Sequence, residues 1–140
     1  MDRRLPVFFC PACWAEVAAA LDICPRCGTD IEAVQEQRDF ADKLLAALDH
    51  PIADTAARVA MILGQLREGR AVEALMRVVC QAKDAYVVEA AVEALGRIGE
   101  PRSRSVLEVA VCRGTVRVRL AARQALTSLR IPLENHDERD

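Results

Sequence analysis

The chain has 140 residues, 19 Lys or Arg against 21 Asp or Glu, and is 52% hydrophobic but only 4% aromatic. That length fits about one domain and excludes a large two-domain enzyme, and a net charge of −2 supplies no global field for nucleic acid or a membrane. Six glycines and six prolines are too few for a β-rich or disordered chain, so apolar content carried by Ala, Leu and Val points to packed helices.

At the start, the apolar run that opens at Leu5 breaks at Cys10-Pro11, too short for a secretory core of roughly 7–15 residues. No stretch approaches the roughly 18 apolar residues of a membrane span. The expected location is therefore cytoplasmic, where thiols stay reduced, and the six cysteines do not read as three disulfides.

Four of those cysteines form two C-x-x-C pairs, Cys10-Pro11-Ala12-Cys13 and Cys24-Pro25-Arg26-Cys27-Gly28, ten residues apart. Each tight turn aims two thiolates at one point, and two such turns complete a tetrahedral S₄ cage suited to one structural Zn²⁺. A redox dithiol is the alternative that a single pair would leave open. Some 25 residues bury too little to fold alone, so the metal is expected to supply the missing stability. Four thiolates leave no site for a catalytic water. Phe9 to Ile31 resembles the short bacterial zinc ribbon with the pattern C-P-x-C-G, spacer, hydrophobe, C-P-x-C-G. Trp14 stands where that pattern has glycine, which questions the left-handed turn after the first knuckle. Its ring is expected either to clamp against the rest of the protein or to serve as an exposed contact.

Beyond residue 32 the chain repeats itself. Val87 to Ile98 (VVEAAVEALGRI) aligns with Val118 to Leu129 (VRLAARQALTSL) at an offset of 31, and Leu63-Gly64-Gln65-Leu66 with Leu95-Gly96-Arg97-Ile98 at 32. A period of 20–50 residues signals a solenoid, and residues 33–131 hold about three periods of two helices each. In the middle period Val87, Ala91, Ala94, Leu95 and Ile98 make a buried helical stripe, with Ala122, Ala125 and Leu126 matching it in the third. Asp84 and Thr115 are candidate N-caps and Pro51 and Pro101 first-turn residues. Cys80 and Cys112 occupy equivalent positions near the ends of first helices and are expected to be buried, inert thiols.

These residues resemble the HEAT repeat, in the short form first described in phycobilisome lyases. Its pattern V-R-x-x-A-A-x-A-L-G-x-I-G-D-P-R-A-V-x-x-L is nearly spelled out from Val88 to Leu107, and the likeness covers about residues 38–130. The resemblance implies an all-α, right-handed α-solenoid of about three HEAT-like repeats whose second helices line a concave groove. The expected organisation is a ribbon over 1–32, the solenoid over 33–131 and a disordered acidic tail over 132–140. With only the short Asp30-Ile31-Glu32-Ala33 connection between them, the ribbon is expected to cap the solenoid's first end through Trp14, Phe8 or Phe9.

Such solenoids bind partners and carry no chemistry of their own, so the leading expectation is a protein-interaction scaffold and not an enzyme. By register the groove would present Ala57, Met61 and Gln65, then Glu89 and Glu93, then Leu120 and Gln124, with Tyr86 near the rim. The alternative is nucleic-acid binding. Residues 101–131 hold seven arginines against the single Glu108, so Arg119 and Arg123 join the candidate partner residues Trp14, Met61, Tyr86, Glu89 and Glu93. A lyase-like subunit of an enzyme complex is the third reading, on analogy alone. Only His50 and His136 are available for acid–base work, and His50 before Pro51 reads as part of a turn.

Overall fold

The computed structural model describes residues 8–18 and 21–130. The expectation for a tail over 132–140 therefore lies outside the described residues. Two short strands, β1 (Phe8–Phe9) and β2 (Glu16–Val17), pair antiparallel around the first cysteine knuckle. Seven helices follow among the described residues: α1 (Ile31–Gln37), α2 (Phe40–Ala47), α3 (Ala53–Gln65), α4 (Val72–Gln81), α5 (Ala85–Ile98), α6 (Arg104–Arg113) and α7 (Val116–Arg130). Helices α2 to α7 are the six expected. The additional helix, α1, begins in the Asp30–Ala33 stretch that reads in the sequence as a connection and runs on to Gln37. Asp30 starts it by accepting from the Ala33 amide at 3.1 Å, and Arg38 in an extended conformation ends it.

Short polar side chains set three of the other six starts. Asp39 and Asp42 form a reciprocal capping box on α2, and the Asp39 carboxyl is held below its usual range by the Asp42 amide first and by Arg70 next. Asp84 accepts from the Tyr86 and Val87 amides at the head of α5, and Thr115 accepts from Val118 at the head of α7. Pro101 opens a 3₁₀ turn, Pro101–Ser103, that leads into α6. Pro51 instead precedes α3, whose N-cap is Ile52.

The second helices form the spine of the stack: α3 packs on α5 and α5 on α7. Small residues at the crossings bring them close. A Cβ placed on Gly64 would lie 2.8 Å from the Ala94 Cα, and one on Gly96 would lie 2.9 Å from the Ala125 Cα. Both glycines occupy the same repeat position and leave room for the neighbouring helix. The first helices α4 and α6 approach each other much less closely. Tight on one side and splayed on the other, the stack bends so that α3, α5 and α7 line the inner side.

Leu63, Leu75, Leu95 and Leu107 are fully buried along the stack. Of the expected core, Ala91, Ala94, Leu95, Ala122, Ala125 and Leu126 are buried, whereas Ile98 at the end of α5 is half-buried. Cys80 and Cys112 depart from expectation, since both are exposed. Val72 and Leu75 on α4, and Leu107 and Ala110 on α6, already fill the side facing the second helices, and the cysteines turn outward beyond that stripe. Ions mark the period on the surface. Arg70 reaches back to Asp39 at 3.6 Å and Asp42 at 3.5 Å, and its equivalent Arg102 reaches back to Glu73 at 3.4 Å.

Candidate metal centre and interaction surfaces

The two cysteine turns are near copies. Trp14 N donates to the Cys10 carbonyl and Gly28 N to the Cys24 carbonyl, both at 2.9 Å, so each knuckle closes by the same bond. The residue after each knuckle is left-handed, Trp14 at φ 60° and Gly28 at φ 75°. The departure from glycine at Trp14 thus changes the side chain and leaves the turn intact. Cys10 N donates to Ala15 O at 3.0 Å and Cys24 N to Thr29 O at 2.9 Å, which completes the correspondence.

Together the turns bring four sulfurs to one point. Cys10 Sγ lies 3.7 Å from Cys27 Sγ, Cys13 Sγ lies 3.7 Å from Cys24 Sγ, and all four fall within 4.8 Å of one another. A disulfide needs about 2.05 Å, so these are not bonded pairs. A tetrahedral thiolate cage with metal–sulfur bonds of about 2.3 Å has edges of about 3.8 Å, which these separations match. Cys10 and Cys24 are buried and Cys13 and Cys27 exposed.

Backbone amides support the sulfurs from outside. Ala12 N donates to Cys10 Sγ at 3.4 Å. The Cys24 thiol is held below its ordinary value by the amides of Cys27 and Arg26. The Thr29 hydroxyl and amide lower Cys27 to about 6. At Cys13 the Ala15 amide also pulls down, but there is no hydroxyl, and partial desolvation with the three neighbouring thiols carries that group to about 11. A metal ion relieves this crowding of thiols by holding all four as thiolates. The donor set therefore fits one ion with no position left for a substrate.

The cage is joined to the helices through His50, in the turn between α2 and α3. Its ring meets Phe9 edge-on at 4.7 Å and Trp14 at 5.0 Å between centroids, while His50 Nδ1 accepts from the Ile52 amide at 3.0 Å. Arg38 adds a hydrogen bond to the Pro11 carbonyl at 3.2 Å. Trp14 is half-buried at this joint, so it holds the cysteine turns onto the first repeat. Nothing in the sequence around His50 signals this role, because it depends on two aromatic residues about 40 positions upstream.

The remaining sequence-predicted residues divide. Met61, Glu93, Arg97, Gln124 and Ser128 lie along one strip across α3, α5 and α7, and Glu93 and Arg97 make no ion pair among the described residues. Ala57 is buried and leaves the groove that register placed it in. Tyr86 is exposed at the head of α5, and Leu120 is exposed on α7. Glu89 is no free acid: its carboxylate takes the Arg117 guanidinium at 3.1 Å and ties the second repeat to the third. The arginine cluster is likewise divided. Arg102 and Arg117 are ion-paired, Arg119 has its Nε buried without a hydrogen-bond partner, and Arg123 is exposed on α7.

Fold and site together define an all-α solenoid of three helix pairs with a four-cysteine, metal-competent clamp at its first end. The sequence model for HEAT repeats matches residues 41–127, and the chain belongs to that family. HEAT repeats are generally protein-interaction scaffolds. No curated protein matches the chain, and no described helix is long and apolar enough to cross a membrane.

Proposed function

We propose that this chain is a zinc-clamped HEAT-repeat adaptor of the cytoplasm, without catalytic activity, that holds a protein partner along its inner strip. The observation that carries the reading is the strip itself. Met61, 40% exposed, sits beside Glu93 and Arg97, and the surface continues through Gln124 and Ser128 across all three second helices. An apolar anchor with unpaired charges of both signs suits a protein segment better than a phosphate backbone. The ion pairs of Arg102 and Arg117 support the same choice, since cations already neutralised contribute little to binding a polyanion.

Zinc is the proposed ion because an all-thiolate tetrahedron suits its softness and needs no redox change, and a closed set of four serves structure alone. Cys10, Cys13, Cys24 and Cys27 would hold it. The residues from Val88 to Leu107 support placing the repeats with the short type that resembles phycobilisome lyases, as a binding scaffold and not as a lyase. The test is affinity capture with the tagged chain, comparing wild type with the double variant Met61→Glu, Glu93→Lys. A protein retained by wild type and reduced at least tenfold on the variant supports the reading. Retention of nucleic acid, lost on raising salt and unaffected by the variant, overturns it.

A further inference from the structure

Where the first helices splay, a furrow opens between α4 and α6, and its lining shares no residue with the strip. One part of about 420 Å³ is walled by Val79, Val88, Val106, Val109 and Val118. A second, of about 430 Å³, continues it past the shared residues Cys80 and Val106 to Met76. Val109 is 53% exposed in this wall, an uncovered aliphatic side chain on a helix where Leu107 is buried and Val106 and Val111 are half-buried.

The charges lining the first part are both cationic, and the second part is lined by one cation and by Glu73. Lys83 and Arg113 flank the first part and Arg77 the second, and none of the three makes an ion pair among the described residues. The two nearby acids are already engaged: Asp84 caps α5 through its carboxylate, and Glu73 holds Arg102.

The same position one repeat earlier serves as an internal control. The hollow between the first and second repeats is smaller, about 230 Å³, and its lining includes Asp49, Arg77 and Gln81. Moving forward 32 residues, Arg77 is replaced by Val109 and Gln81 by Arg113. A wall position becomes apolar, and a rim position becomes cationic. Repeat geometry alone would have given two similar hollows, so the difference lies in the side chains.

We propose that the α4–α6 furrow is a second docking site, for an acidic peptide segment of a protein partner that inserts an apolar anchor against Val106 and Val109. The anchor covers exposed Val109 and half-buried Val106, and the flanking carboxylates meet Lys83, Arg113 and Arg77. Cys80 lies in the furrow lining, whereas Cys112 lies outside it, so the two thiols report separately on occupancy.

The test uses the full metal-loaded chain and two synthetic ten-residue peptides, each with two central leucines, one flanked by glutamates and the other by lysines. The expected result is saturable binding of the acidic peptide, at least tenfold tighter than the basic one. It should slow Cys80 modification by a thiol reagent while Cys112 reacts unchanged. Val109→Glu and Arg113→Glu should each weaken binding at least tenfold, and Met61→Glu on the inner strip should leave it unaltered. A failure of the strip to bind a partner would leave these results standing, so the two sites are judged independently. Equal affinity for both peptides, unprotected Cys80 or sensitivity to Met61→Glu overturns the proposal. So does a tenfold gain in affinity on Leu133→Ser, because the chain's own C-terminal segment would then be the occupant.

Discussion

Two residues hold a backbone conformation that glycine holds at the matching position of the same chain. Trp14 at φ 60° matches Gly28 at φ 75°, and Arg67 at φ 50° matches Gly99 at φ 77° one repeat later. A side chain in this region costs roughly 1–2 kcal/mol, which something else must offset. At Trp14 the ring against His50 offsets it; exposed Arg67 has no ion pair among the described residues. Arg67→Gly should therefore stabilise the chain by about 0.5–1 kcal/mol after the entropy cost of glycine, read as a higher urea midpoint at unchanged slope. A lower midpoint would refute the strain. Trp14→Gly has the same backbone benefit but should lose more in packing, so its midpoint should fall. At the cage, Cys24→Ser removes a buried sulfur from a set that needs all four. Metal analysis should drop from one zinc per chain to near zero while most of the helical signal persists, and full metal content would sink the assignment.

At the scale of elements, the spacing between second helices is set by what is absent from Gly64 and Gly96. Alanine normally stabilises a helix interior by about 1 kcal/mol over glycine. Here Gly96→Ala should destabilise instead, because the new methyl would sit 2.9 Å from the backbone of Ala125, which has no flexible end to move aside. Chemical denaturation decides the sign, and a stabilised variant would show that α5 and α7 are not this close. Leu95→Ala, at a fully buried site on the same helix, should cost about 2–5 kcal/mol. The helices themselves were legible from period and caps: Asp84 and Thr115 stand where the capping chemistry requires. Helix α1 was missed because its seven residues bury no side chain fully, so no apolar stripe marks it. The thiols Cys80 and Cys112 were misplaced for a related reason. A repeat register shows that two residues are equivalent, but not which way that equivalent position faces.

For the whole molecule, the contact of Phe9 and Trp14 with His50 makes the metal clamp part of the first repeat's surface. Chelation should then perturb Trp14, the only tryptophan, before it perturbs the solenoid. Fluorescence should shift on removing the metal while circular dichroism changes little, and simultaneous loss of both signals would show that the repeats depend on the clamp. The sequence by itself determined the cysteine cage, the three-fold repetition and the small inner faces of α5 and α7, because metal spacing, period and helical stripes are local patterns. Only the tertiary structure decided that Glu89 binds Arg117, that Ala57 is covered, and that Trp14 meets His50. It also decided that α4 and α6 part to expose Val109. Each of these depends on which residues of distant segments share a surface, and that follows from how closely the helices approach, a property of the packed stack and not of any one stretch of chain.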